Sequence, residues 1–98
     1  MRYNMTKTIT IDLSGINTRE GLHEAIRSAL DLPDEYGNNF DALHDVLTSL
    51  NDVHLQFYGI DGTEEFYTIF EKVVEDSSVS NPGLTYEFID EFEYGNEE

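Results

Sequence analysis

No cysteine occurs among the 98 residues, which excludes disulfides, thiolate nucleophiles and thiolate metal sites, and fits a reducing compartment. No apolar run approaches the ~20 residues that a helix needs to cross a bilayer. The opening residues MRYNMTKT are not followed by an apolar stretch, so no secretory signal is expected and a cytoplasmic protein is. Cationic side chains are nearly as scarce. Five Lys plus Arg stand against 21 Asp plus Glu, for a formal net charge of −16. Nucleic acid and anionic membrane both need a basic footprint, so neither is expected as a direct partner. A basic protein is favoured, because opposite fields speed encounter. The plainer alternative is that the acidity only confers solubility. The glycine-rich nucleotide motifs, a calcium loop and a nucleophile elbow are all missing. No cofactor, catalytic residue or enzymatic activity is therefore expected.

What is present is periodic. Thr8 to Leu13 alternates Ile9, Ile11 and Leu13 with polar residues and reads as a strand ended by Ser14 and Gly15. Thr18 is a candidate N-cap, with Glu20 where the helix dipole favours an acid. Leu22, Ala25, Ile26, Ala29 and Leu30 then mark an amphipathic helix stopped by Pro33. Residues 34–38 read as a turn with Gly37 available for positive φ, and Asn38 or Asn39 can cap a second helix running to about Leu50. Val53, Leu55 and Phe57 alternate with His54, Gln56 and Tyr58 as a second strand. Gly59, Asp61 and Gly62 turn the chain. Asp61 with Glu64 has capping-box spacing, and Thr63 is the rival cap. Phe66, Ile69, Phe70, Val73 and Val74 follow a helical stripe, Ser77 to Gly83 reads as a loop, and Leu84 to Ile89 as a third strand. Strands separated by helices imply crossovers and a parallel sheet. The expectation is one α/β domain over residues 1–90 with two layers, a three-stranded parallel sheet and the order β-α-α-β-α-β. Residues 91–98, dense in acids, are expected to be a disordered tail.

Within the second helix the chemistry separates. At ~100° per residue, Phe40, Leu43, Val46, Leu47 and Leu50 share one face. Asp41, His44, Asp45 and Thr48 fall on the opposite face. An ordinary solvent-facing side accounts for this polar set as well as a working surface does. Asp41 is also explained by the helix dipole. Asp41, His44 and Asp45 lack a second histidine at matching spacing, so no metal site is expected.

The stretch LPDEYGNNFDALHDVLTSL, residues 32–50, resembles the signature of barstar-family ribonuclease inhibitors. The match lies in Leu32, Pro33, Tyr36, Gly37, Asn39, Asp41, Ala42, Leu43, Asp45, Leu47 and Thr48. The resemblance implies a barstar-like fold from about Thr8 to Ile89. It implies an intracellular inhibitor, or immunity protein, that plugs the active site of a basic, secreted, microbial-type ribonuclease. The second helix and the loop before it would make the contact, in a 1:1 complex formed by a chain that is monomeric when free. Asp45 would take the place of an RNA phosphate, flanked by Asp41 and Thr48, with Tyr36 and Asn39 from the loop. Two departures stand on the same surface. Glu35 and His44 occupy positions where the family's best-known member carries a tyrosine and a tryptophan. Both remove an aromatic of the kind enriched at interfaces. An acid that this member uses on the last helix aligns with Lys72, beside Glu71 and Glu75. The partner-facing set is therefore Glu35, Tyr36, Asn39, Asp41, His44, Asp45 and Thr48. The alternative reading is an acidic binding module of the same fold, directed at a non-ribonuclease toxin or a basic regulatory protein.

Overall fold

The computed structural model of the chain describes residues 6–60 and 64–89. The elements are β1 Lys7–Asp12, α1 Arg19–Leu30, α2 Phe40–Leu47, β2 Val53–Tyr58, α3 Glu65–Ser80 and β3 Leu84–Ile89. This is the order that the hydrophobic periods predict. β2 is central and pairs in parallel with both neighbours. Residues of one face stay in phase across the sheet: Ile11, Phe57 and Phe88 align, as do Ile9, Leu55 and Tyr86. This face meets the helices, with Ile11, Leu55 and Phe57 fully buried. The Phe57 ring packs edge-on against Phe70 of α3 and stacks on Phe88. The opposite face carries Thr10, Gln56 and Glu87, and Thr8, His54 and Thr85, in the same register. There Glu87 accepts from Gln56 Nε2 at 2.9 Å and pairs with His54 Nε2 at 3.0 Å, while Thr85 Oγ1 meets His54 Nδ1 at 2.7 Å. Two layers result, with the core between sheet and helices.

Local chemistry accounts for most boundaries. The Thr18 hydroxyl accepts from Gly21 N–H at 3.0 Å and starts α1. α1 ends at Asp31, not at Pro33. Asp31 turns left-handed at φ 56°, and the N–H groups of Asp31 and Leu32 return to the carbonyls of Ser28 and Arg27. That closure satisfies the last carbonyls two residues before the proline is reached. Where β1 and β2 leave the sheet, Leu13 N–H donates to the Tyr58 carbonyl at 2.8 Å. Gly59 follows at φ 80°, with its Cα against the Ser14 backbone, so a Cβ there would lie 2.7 Å from Ser14 N.

Three further features differ from expectation. Gly37 does not take the positive φ; Asn38 does, at 52°, and asparagine tolerates that region better than most residues. α2 stops at Leu47 rather than Leu50. The hydroxyls of Thr48 and Ser49 donate to the carbonyls of His44 and Asp45 and close the last turn. α3 runs on to Ser80, so the first half of the expected Ser77–Gly83 loop is helical. Ser77 is small enough to sit fully buried, its hydroxyl donating back to the Val73 carbonyl at 2.8 Å. The Asp61 and Thr63 caps and the acidic tail fall outside the described residues. Glu64 holds the cap position of α3 with no side-chain hydrogen bond.

Asn81 joins three of these segments. Its Nδ2 donates to the Leu47 carbonyl at 3.0 Å and to the Leu50 carbonyl at 2.7 Å, and its Oδ1 accepts from Gly83 N–H at 2.9 Å. The side chain is buried, so those carbonyls have little access to water. Asn81→Ala is expected to lower stability by about 2–3 kcal/mol, because buried polar groups lose their partners. Asn81→Asp is expected to cost more, since a carboxylate cannot donate to either carbonyl. Urea midpoints of the two variants check this order.

Candidate functional site

α2 is short, and both its ends are held by side chains. At the start, Asn39 Oδ1 accepts from Ala42 N–H at 2.7 Å while Nδ2 donates to the Gly37 carbonyl at 3.2 Å. The side chain thereby lies over Gly37, where an added Cβ would come within 3.1 Å of Nδ2. At the far end stands Asn81. Between them Leu43 and Leu47 are fully buried, and Phe40, Val46 and Leu50 pack partly buried against the same core.

The polar side then faces outward. Asp41 and Asp45 are exposed, and His44 and Thr48 are half-buried. Among the described residues no hydrogen bond or ion pair engages either carboxylate. One helical turn apart, their Cβ atoms are about 6 Å from each other. The Asp41 charge also sits in the first turn, where the helix dipole favours it. Thr48 differs, because its hydroxyl is directed at its own helix. Glu35 is exposed in the loop before α2.

Tyr36 departs from the expected surface. It is only 8% exposed, and its hydroxyl meets His23 Nδ1 of α1 at 2.7 Å in a buried hydrogen bond. Burial pushes the phenol up to about 12, so it stays protonated. The His23 ring lies against the Phe40 ring at a centroid separation of 5.0 Å. Sequence reading gave His23 no role. The available signal was its position beside Leu22 on the apolar stripe of α1, which also fits a residue at the edge of that stripe. An outer set of contacts runs parallel to this buried pair. Glu24 on α1 accepts from Asn38 Nδ2 at 3.3 Å and pairs with Arg27, which also faces Asp34 at 3.6 Å. The Arg27 and Asn38 hydrogen bonds hold the Glu24 carboxyl below its usual value. Elsewhere, Glu71, Lys72 and Glu75 line a shallow groove of about 360 Å³ with Thr68, Tyr86 and Phe88, between α3 and β3.

Among the described residues, the parallel three-stranded sheet carries its helices on one face, and the short capped α2 holds two bare aspartates on its outer side. Residues 6–77 match the family model described as Barstar (barnase inhibitor). That is well over half of the chain, and the chain belongs to this family. The match includes the loop and all of α2 and ends within α3, while β3 completes the sheet beyond it. A search of curated proteins finds no match.

His23 makes stability depend on pH. Burial, and then the charge of Arg19, hold its imidazole below the ordinary value near 6.5. Nε2 is buried with no partner among the described residues. The neutral ring is therefore the folded form, and unfolding takes up a proton below about pH 6.5. Its contribution is complete above that pH and is lost as pH falls towards the lower folded value. The stability difference between wild type and His23→Gln is expected to shift against wild type by up to about 1.4 kcal/mol per pH unit in that window. Denaturant titrations from pH 7.5 to 5 measure it. A pH-independent difference would show that His23 does not titrate on unfolding.

Proposed function

We propose that this protein is a non-catalytic, cytoplasmic inhibitor of a basic, secreted, bacterial-type ribonuclease. The free chain is a monomer, and it forms a 1:1 complex by filling the enzyme's active site with α2 and the loop before it. The observation that carries this reading is the pair of exposed carboxylates, Asp41 and Asp45, without partners among the described residues, on a helix fixed at both ends. In a family described as barnase inhibitors, such a pair suits a cationic cleft built for phosphate. The Asp45 carboxylate would receive charge-assisted hydrogen bonds from the enzyme's cationic side chains. Asp41 and Glu35 would add to the field around it, and the net charge of −16 would speed encounter with a basic partner. His44 and Glu35 stand where an aromatic pair would otherwise pack, so polar contacts carry more of the interface here.

Blocking the active site has a consequence that mere adhesion lacks. A nucleotide or phosphate analogue bound in the cleft should compete with the inhibitor. An acidic module bound elsewhere on a basic toxin or regulatory protein should not be displaced. Asp45→Ala is expected to weaken the complex by about 3–5 kcal/mol, the cost of leaving buried cations without their partner. Glu97→Ala, which removes the same charge from the C-terminal stretch, should change it by less than about 0.5 kcal/mol. Calorimetric titration of both variants against a basic ribonuclease decides the matter. Equal losses would assign binding to bulk charge and not to a phosphate mimic.

A further inference from the structure

We propose that Glu24 and Arg27 of α1 are positioning residues that clamp the 31–39 loop in the form it presents to a partner. The proposal rests on the reading above for its functional half and on the free chain for its structural half.

The loop carries two left-handed residues that are not glycine, Asp31 at φ 56° and Asn38 at φ 52°. Asp and Asn reach this region more easily than other non-glycine residues, and neighbouring contacts decide how firmly they stay there. Asp31 is held by the backbone closure of α1. Asn38 has no such closure; its side-chain amide donates to Glu24 Oε2 instead. Arg27 braces Glu24 from the next turn and reaches Asp34 at the other end of the loop. Asp34 and Asn38 are thereby tied to one patch of α1, and the exposed Glu35 lies between them. Tyr36 is fixed underneath by His23. The chain has only five cationic side chains, and two of them work at this junction: Arg27 in the clamp, and Arg19 over the Phe40 ring at 5.9 Å.

The clamp is solvent-exposed, and surface ion pairs of this kind contribute little to global stability. Its effect should therefore appear in local order and in binding, because a loop already in its bound shape loses less freedom on association. Long-range charge makes a different prediction. Glu24→Ala removes a negative charge and Arg27→Ala a positive one, so steering towards a basic enzyme would weaken binding in the first and strengthen it in the second. Loss of the clamp weakens binding in both.

The deciding measurement is made on the free chain. Backbone ¹⁵N order parameters of residues 34–39 should fall from the rigid range near 0.85 towards about 0.6 in both alanine variants, with melting temperatures within about 2 °C of wild type. Glu24→Gln, which has the charge of the alanine variant but keeps an acceptor for Asn38, should recover part of the order. Unchanged order parameters in both alanine variants would overturn the proposal. Titration against barnase tests the functional half, with Asp45→Ala alongside. Each clamp variant should weaken binding by about three- to tenfold, and the double variant by no more than the worse single one. Opposite effects from the two single variants would assign them to charge steering and overturn the clamp's role in binding. A loosened loop combined with an Asp45→Ala variant that binds like wild type would leave the clamp standing and remove the inhibitor reading.

Discussion

The position of α2 depends on the side-chain amide of Asn81. A helix of eight residues has little stability of its own, and α2 is that short. Its last carbonyls need donors that the helix cannot supply. Asn81 gives one N–H to Leu47 and the other to Leu50, while its own backbone closes α3 and its Oδ1 receives Gly83 N–H ahead of β3. One buried amide thus fixes the end of α2 to the point where α3 hands the chain to the sheet. Asn39 does the corresponding work at the start. With its termini satisfied by side chains and its apolar stripe in the core, α2 can leave its polar side uncommitted.

The loop ahead of α2 shows the same division between holding and offering. Tyr36 and Asn39 belong to the sequence signature of the family, and in the free chain both are engaged internally, one with His23 and one with the helix start. Glu35, Asp41 and Asp45 are the members of the expected set that are exposed and unengaged. A motif can thus mix residues that shape a surface with residues that form it. Spacing alone does not sort them, because a tyrosine beside a glycine fits either task.

The order of elements, their apolar faces, the cap at Thr18 and a cap at Asn38 or Asn39 were legible in the sequence because each rests on short-range periodicity or on a local hydrogen bond. The face of α2 was legible for the same reason: 3.6 residues per turn separates Leu43 and Leu47 from Asp41 and Asp45. What escaped were interactions between segments distant in sequence. Asn81 reads as a loop residue because the carbonyls it serves lie more than 30 positions earlier. His23 reads as an unpatterned histidine until the loop brings Tyr36 to it. The extension of α3 through Ser77 was hidden by composition, since a run of serines favours turns unless a buried site for a small side chain is at hand and the hydroxyl can bond back to a helix carbonyl, here that of Val73. At Gly37 and Asn38 the residue type pointed to the wrong partner. Glycine is the freer residue, but asparagine brings a side chain that Glu24 can hold.

The acids of this chain fall into two groups, and the distinction bears on how so negative a protein stays folded while presenting carboxylates. Asp12 accepts from Ser14, Glu24 from Arg27 and Asn38, and Glu87 from Gln56 with His54 beside it. Each is held below its usual pKa, first by a side-chain hydrogen bond, so each favours the folded state when ionised. Among the described residues, Asp41 and Asp45 receive no such side-chain support. Like charges four residues apart on an exposed helix face repel by only about 0.2–0.5 kcal/mol, a cost that the buried stripe and the two asparagine ties readily offset. Scattered surface acids would give solubility without that cost. Under the proposed function, cations of a basic cleft that approach both carboxylates would remove the repulsion and gain partners in the same step.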